Sequence, residues 1–182
     1  MIALWRSFLF AVYFWTMTYT IWIIPPEPVL TQLRSAIETL AKKYGGPTFT
    51  PHMTLLGDIE GDPAEITKKM EQLVAGKKVL ELSLGPVSFS TTYWQDVFVR
   101  VNSTGALMQL NLDAKKMFNM KNDVFMPHIS LLYGEHDATI REKAAAEVSL
   151  PPTSFIAGAL VLNPNTPDPS GWVPYSVVPF GG

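Results

Sequence analysis

The sequence predicts an α+β fold. Helix-like and strand-like segments alternate along the 182 residues, but they lack the uninterrupted strand–helix rhythm and the long apolar strands of a doubly wound parallel sheet. A chain of this length fits one compact domain or two closely packed lobes. It contains no Gly/Ser-rich linker and no block of like charge that would separate independent domains.

Four segments are predicted to be helices from the spacing of their apolar residues and from their end signals. Apolar residues recur every three or four positions before Gly45-Gly46, which ends the first helix. Asp62 supplies an N-cap for the second helix, Pro63 its first residue and Glu65 a capping-box carboxylate. The predicted helices are Val29–Tyr44, Pro63–Ala75, Thr104–Phe118 and Thr139–Val148.

Short runs of β-branched and aromatic residues predict the strands. The prolines of the last run suit an edge strand, because proline cannot donate to a neighbouring strand. Gly85-Pro86 is expected to separate two strands, and Asn163–Gly171 to form a loop. The predicted strands are Tyr19–Ile24, Thr48–Leu56, Val79–Leu84, Val87–Ser90, Val97–Val101, Pro127–Leu132, Phe155–Leu162 and Trp172–Phe180.

Charge and cysteine content exclude several classes of protein. The net charge is −2 and 16% of residues are charged, which argues against a protein that neutralises the backbone of a long nucleic acid. A small anionic ligand remains compatible. The chain has no cysteine, which excludes disulfide scaffolds, thiolate nucleophiles, cysteine-type zinc sites and iron–sulfur clusters.

Residues 1–18 form an apolar leader, and residues 19–182 form the predicted domain. Arg6 is the only charge before Ile24, and Phe8–Trp15 resembles the core of a signal peptide or the start of a membrane span. The leader is either a signal or anchor, or an apolar extension packed on the domain. We expect a cytoplasmic monomer, with the Golgi or another membrane-associated or secretory compartment as the alternative if the leader targets or anchors the chain.

One motif occurs twice. Pro51-His52-Met53-Thr54-Leu55-Leu56 returns 76 residues later as Pro127-His128-Ile129-Ser130-Leu131-Leu132. Along a strand, alternate side chains share a face, so each copy presents an imidazole beside a hydroxyl and buries its apolar residues behind them. If a pseudo-twofold axis relates the copies, both pairs face one groove.

Two imidazoles and two hydroxyls in one groove suit phosphoryl chemistry without a metal. With an ordinary pKa of about 6.5, one ring can take a proton from water while the other donates one to the leaving oxygen. The hydroxyls can donate to the non-bridging phosphoryl oxygens. A zinc site is disfavoured because the chain lacks cysteine and the spacing is neither His-x-His nor His-Glu-x-x-His. We therefore predict no metal and no cofactor.

With these motifs the chain resembles the two-histidine phosphoesterase superfamily and, within it, the cyclic phosphodiesterases of plants and fungi. The resemblance runs from about Tyr19 to the C-terminus. It implies a bilobal α+β fold in which each lobe gives one motif to a central cleft. It also implies hydrolysis of ADP-ribose 1″,2″-cyclic phosphate, a product of tRNA splicing, to ADP-ribose 1″-phosphate, and of nucleoside 2′,3′-cyclic phosphates to 2′-phosphates.

The resemblance assigns the motif positions to His52, Thr54, His128 and Ser130. It implies that His128 activates water and that His52 protonates the leaving oxygen, although the two motifs are near-symmetric and the residues alone do not distinguish these roles. The chain departs from the plant-like members in two respects: they carry cysteines, some of them paired, and they do not match the leader.

Two further residues match the family in type and spacing. Trp22 either stacks on a base or ribose of the substrate or belongs to the core. Tyr133 can bond the phosphate or the attacking water only if the strand ends or bulges before it, because plain alternation turns it to the opposite face from His128.

Other interpretations remain open. Tyr93-Trp94 is either an aromatic lid or a plain loop, and His136 is expected at the surface. The expected partner is a small cyclic-phosphate nucleotide, not a long nucleic acid, and any membrane association would come through the leader. The alternative functions are RNA-end processing, of the 2′-5′ ligase or exonuclease type, and a non-catalytic nucleotide-binding module.

Overall fold

The computed structural model describes residues 17–181. The predicted leader lies outside the described residues except for Met17 and Thr18, and Thr18 already opens the first strand. The strands are β1 (Thr18–Ile23), β2 (Met53–Glu60), β3 (Leu80–Phe89), β4 (Val97–Val101), β5 (His128–Leu132), β6 (Ser154–Ala157), β7 (Ala159–Pro164) and β8 (Ser176–Pro179). The α-helices are α1 (Val29–Tyr44), α2 (Pro63–Val74), α3 (Gly105–Met117) and α4 (Ala138–Glu147).

The strands form two antiparallel sheets of four, in the orders β2-β1-β7-β8 and β5-β4-β3-β6. The halves share one plan: β2 follows α1 and pairs with β1, whereas β5 follows α3 and pairs with β4. Each motif strand therefore lies at the edge of its own sheet, and β2 contacts β5 across the junction. The α+β class and the bilobal arrangement are confirmed.

The helices join the two lobes. Helix α1 leaves the first sheet but packs on β5 of the second, and α3 leaves the second sheet but packs on α2 and β2. Asn111 on α3 is buried, and its Nδ2 donates to the Leu55 carbonyl of β2 at 2.7 Å. One hydrophobic cluster extends through both lobes. The packing of these helices thus fixes the positions of the two motif strands relative to each other.

Several strand predictions were wrong in their bounds. The second strand begins at Met53 and continues to Glu60, so Thr48 and the residues up to His52 are irregular. Gly85-Pro86 does not separate two strands, because β3 runs through it with a register shift between Leu84 and Val87. A β-bulge at this register shift accommodates Pro86, whose nitrogen cannot donate a hydrogen bond to the neighbouring strand.

The run Phe155–Leu162 is two strands in different sheets. It breaks at Gly158, where the chain passes from β6 in the second sheet to β7 in the first. The alternating pattern of residues that predicts a strand does not indicate that the chain moves from one sheet to another. The last strand begins at Ser176, later than predicted, and occupies a sheet edge as its prolines suggest.

Within residues 17–181, every helix is too short or too polar to cross a bilayer.

Candidate active site

Both motif histidines line one cleft of about 700 Å³, which lies where the edges of the two sheets meet. Each is oriented in the same way by its own backbone. Nδ1 of His52 donates to the Thr50 carbonyl at 2.7 Å, and Nδ1 of His128 donates to the Met126 carbonyl at 2.8 Å. In both cases a proline with fixed φ separates the carbonyl from the ring. The proline that precedes each histidine therefore helps to fix the orientation of the imidazole ring.

These bonds decide the tautomer of each ring. A carbonyl oxygen only accepts, so Nδ1 carries the proton and Nε2 of the neutral ring is the basic nitrogen. Among residues 17–181 no protein group bonds to either Nε2. Each ring can thus accept a proton at Nε2 or, once protonated, donate one from it.

His52 is enclosed by aromatic rings. The Trp22 indole stacks on it with ring centroids 3.6 Å apart and an interplanar angle of 14°, and Trp172 meets it edge-on at 5.4 Å. Burial lowers the pKa of His52 to about 4; the Thr50 carbonyl opposes this shift, and the charge of His128 adds to it. At neutral pH the ring of the free protein is therefore uncharged.

His128 is more open than His52. Burial again lowers its pKa, the Met126 carbonyl opposes the shift, and the positive charge of Arg100 lowers it further. Arg100 is the residue opposite His128 in the β4–β5 register. Without a bound ligand, both imidazoles are therefore weaker bases than an ordinary histidine. A bound phosphate anion would raise both pKa values.

The two motif hydroxyls also line the cleft, but their hydrogen bonds differ. Ser130 is buried, and its Oγ donates to the Trp94 carbonyl at 2.7 Å. Thr54 is half-buried and makes no side-chain hydrogen bond within the described part of the chain. Thr54 is thus ready to donate to a phosphoryl oxygen, whereas Ser130 must release Trp94 to do so.

Tyr133 and Trp22 border the cleft. Strand β5 ends at Leu132, so Tyr133 lies beyond the last strand residue and escapes the alternation that would turn it away. Its ring stacks on Phe49 with centroids 3.9 Å apart, and burial raises the pKa of its hydroxyl above the ordinary value. Trp22 is only 3% exposed, and it stacks on His52. Its indole supports the histidine and offers little surface to a base.

Sequence reasoning missed most of the other residues of the cleft, because they are neither repeated nor part of a motif, whereas Trp94 was predicted to belong to a lid or a loop. Trp172 was assigned to the last strand, but it follows a 3₁₀ turn over Pro169–Gly171, and its Nε1 donates to the Thr166 carbonyl at 2.8 Å. Trp94, which is 45% exposed, makes the Tyr93-Trp94 segment part of the cleft wall. The other lining residues are Thr20, Gly57, Asp58, Gln95, Asp123, Asn165, Thr166 and Pro167.

The surface position expected for His136 was wrong. Its side chain is 18% exposed, and its Nδ1 contacts the buried carboxylate of Asp96. Its Nε2 lies 2.9 Å from the Tyr44 carbonyl. Both ring nitrogens face acceptors, which favours the imidazolium; burial opposes protonation, but Asp96 and the carbonyl outweigh it and raise the pKa of His136. The signal was absent from the sequence because Asp96 is 40 positions away.

Between Met17 and Gly181, no three His, Cys, Asp or Glu side chains are grouped so that they could hold a metal ion.

The sequence family described as "Cyclic phosphodiesterase-like protein" matches residues 17–154 of this chain. The chain belongs to that family. It is also 31% identical to the cyclic phosphodiesterase of Arabidopsis thaliana over 130 residues, which are 71% of each protein. This cyclic phosphodiesterase-like protein is accordingly a phosphodiesterase enzyme.

Solved structures show the same fold at low sequence identity. The protein TT0787 of Thermus thermophilus superposes with a TM-score of 0.64 at 18% identity, over 91% of this chain and 99% of that one. E. coli LigT complexed with 3′-AMP gives 0.56 at 17% identity, over 92% and 99%. The two-lobed arrangement of the cyclic phosphodiesterase-like chain is therefore shared with these proteins.

Proposed function

We propose that this enzyme hydrolyses small cyclic phosphates by paired histidine acid–base catalysis without a metal ion. The substrates are nucleoside 2′,3′-cyclic phosphates, which give 2′-phosphates, and ADP-ribose 1″,2″-cyclic phosphate, which gives ADP-ribose 1″-phosphate. The observation that carries the proposal is the convergence of His52 and His128 in one cleft, where no group of residues 17–181 bonds to either Nε2. The relative from Arabidopsis, named a cyclic phosphodiesterase, supports it.

The proposed reaction adds one water across one P–O bond. Nε2 of His128 takes a proton from the water as its oxygen bonds to phosphorus. The bond from phosphorus to the nucleoside O3′, or to O2″ of ADP-ribose, breaks, and that oxygen takes a proton from Nε2 of His52. His52 must enter this step as the imidazolium, which the bound phosphate anion favours by raising its pKa. Thr54 donates to a non-bridging oxygen, where negative charge is held in the transition state. The histidine roles follow the family resemblance, since the two rings are bonded alike.

The cleft size supports a small substrate. Its volume of about 700 Å³ is typical of small-molecule sites, which span roughly 300–1,000 Å³. A mononucleotide should therefore be turned over faster than the same cyclic phosphate at the end of an oligonucleotide. The reverse preference would favour RNA-end processing.

The decisive experiment is hydrolysis of a nucleoside 2′,3′-cyclic phosphate in excess chelator. We expect full activity with chelator and a loss of about 10²–10⁴-fold in kcat in His52→Ala and in His128→Ala, the usual contribution of a general acid or base. Loss of activity with chelator alone would contradict the metal-free mechanism. Binding without turnover in the wild type would point instead to a non-catalytic module.

The same two variants test the histidine roles. A p-nitrophenyl phosphodiester has a leaving group that needs no proton, so the variant that lacks the general acid should keep more activity on it than on the cyclic substrate. We expect this rescue in His52→Ala and not in His128→Ala. Rescue in His128→Ala alone would reverse the assignment.

A further inference from the structure

The charge of the cleft is unusual for an enzyme that binds phosphate. Within residues 17–181 its lining contains the carboxylates of Asp58 and Asp123 and no lysine or arginine. Sites that hold several phosphates ordinarily place basic side chains or helix N-termini against them. A substrate with several negative charges would therefore lack compensating charge in this cleft.

Of the two carboxylates, only Asp58 lacks a cationic partner within the described residues. Asp123 pairs with Lys115, whose Nζ lies 2.8 Å from Oδ1 of Asp123. The Asp58 carboxylate instead accepts from the neutral amide of Asn165 at 2.8 Å. The same amide also donates to the Thr18 hydroxyl at 3.1 Å. Asp58 is thus held in place by a neutral amide, and no cationic side chain of the described residues pairs with it.

A buried hydroxyl lies on β1, the strand that pairs with the strand of Asp58. Thr20 is 7% exposed, lines the cleft, and its Oγ1 has no hydrogen-bond partner in the described part of the protein. Its methyl group adjoins Gly57, where an added Cβ would lie 3.9 Å away. Buried hydroxyls ordinarily have a partner. A carboxylate and an unpartnered hydroxyl that line the same cleft suit an uncharged group that donates hydrogen bonds, such as a ribose hydroxyl or a base amino group.

The two lobes differ in charge along the cleft. Arg100 belongs to the lobe of His128 and lowers the pKa of that histidine through its positive charge. Asp58 belongs to the lobe of His52, four positions beyond Thr54 on β2. One negative charge, the reacting cyclic phosphate, is favoured near the histidines. A second negative charge, further along the substrate, would be repelled by the Asp58 carboxylate.

We infer that Asp58 and Thr20 form a subsite for an uncharged polar part of the substrate, so that the enzyme selects cyclic phosphates with a single negative charge. The inference rests on the proposed function and narrows it: nucleoside 2′,3′-cyclic phosphates are preferred to ADP-ribose 1″,2″-cyclic phosphate, which carries a pyrophosphate.

The test compares kcat/KM for a nucleoside 2′,3′-cyclic phosphate with kcat/KM for the same nucleoside bearing an additional 5′-phosphate, at low and high salt. We expect the 5′-phosphorylated substrate to be at least about tenfold poorer at low salt, a modest effect for like charges in one cleft. The ratio should shrink as salt rises and screens the repulsion. An equal or better 5′-phosphorylated substrate would overturn the inference.

A matched pair of variants assigns the effect to Asp58. In Asp58→Asn the ratio should fall to about threefold or less. In Glu60→Gln it should stay at the wild-type value, because Glu60 is an exposed carboxylate of the same strand that does not line the cleft. If this ratio changed equally in the two variants, the effect would come from net charge alone, and its assignment to Asp58 would be wrong.

A binding measurement separates this inference from the proposed function. Calorimetric titration of the wild type with a nucleoside 2′-phosphate and with the corresponding 2′,5′-bisphosphate requires no turnover. Weaker binding of the bisphosphate supports charge selection even if neither cyclic substrate is hydrolysed, a result that would reject only the proposed function. Equal or tighter binding of the bisphosphate would reject the selection.

Discussion

The motif histidines are held by backbone carbonyls and not by carboxylates. A carboxylate would stabilise the imidazolium, whereas a carbonyl fixes the tautomer with a much weaker effect on charge. Burial therefore dominates and lowers the pKa of both His52 and His128. The consequence is a pair of neutral rings in the free protein that become protonated most readily when an anion is bound.

The buried position of His52 should make the stability of the enzyme depend on pH. Its pKa is about 4 in the folded state and about 6.5 when unfolded. Between these values the unfolded chain binds more protons, so stability falls as pH drops. We expect the free energy of unfolding in urea to fall by about 2 kcal/mol more between pH 7 and pH 5 in the wild type than in His52→Gln. The same pH dependence in both proteins would show that His52 titrates normally.

At the scale of elements, one buried ionic cluster ties together four segments behind the cleft. Asp96, fully buried, directly follows the turn that carries Trp94, and its Oδ1 lies 2.7 Å from Nε of Arg141 on α4. Arg141 also donates from Nε to the His136 carbonyl at 2.5 Å and from Nη1 to the Ser90 carbonyl at 2.5 Å. His136 in turn reaches the end of α1 through the Tyr44 carbonyl. The cluster therefore holds the Trp94 wall against the end of β5.

Glycines allow this close packing. An added Cβ at Gly134 would overlap the imidazole ring of His136. At Gly46, which has a φ of +101°, an added Cβ would lie 2.5 Å from the carbonyl oxygen of Tyr133. The glycine that follows the second motif is thus required by the cluster, and Gly46 by the approach of α1 to the cleft tyrosine.

Removing Arg141 should destabilise the protein strongly. In Arg141→Met the buried Asp96 loses one of its charge partners, and breaking a buried ion pair on one side ordinarily costs about 3–5 kcal/mol. Urea unfolding measures the loss. Lys143→Met is the control, since Lys143 is an exposed cation of the same helix and should change stability by less than about 0.5 kcal/mol. Similar small effects in both variants would mean that the cluster contributes little to stability.

For the molecule as a whole, the sequence predicts best what is repeated or periodic. The twin motif identifies His52 and His128, and the capping signals of Asp62 and Pro63 place α2 within a residue. Residues whose role arises only from tertiary contact leave no such signal. Asp58 reaches the cleft because Asn165, 107 positions away, holds it. The alternation of residues along a strand likewise does not indicate that the chain passes from one sheet to the other at Gly158.

The exchange of helices between lobes makes the two sheets one folding unit. Each motif strand is supported by a helix from the other half of the chain, α1 on β5 and α3 on β2, and the core is continuous. A lobe that opened alone would expose the apolar face of a helix that belongs in sequence to its partner. We therefore expect unfolding to be a single cooperative transition despite the two sheets.

Hydrogen exchange of the full chain, followed by mass spectrometry, tests this cooperativity. Amides of β1 and β4, one strand from each lobe, should exchange with the same free energy of opening. Leu33→Ala removes a fully buried side chain of α1 and should lower both values by about 2–5 kcal/mol. Ser35→Ala, an exposed substitution on the same helix, should leave both nearly unchanged. A loss of protection confined to one strand would show that the lobes unfold separately and that α1 stabilises only one of them.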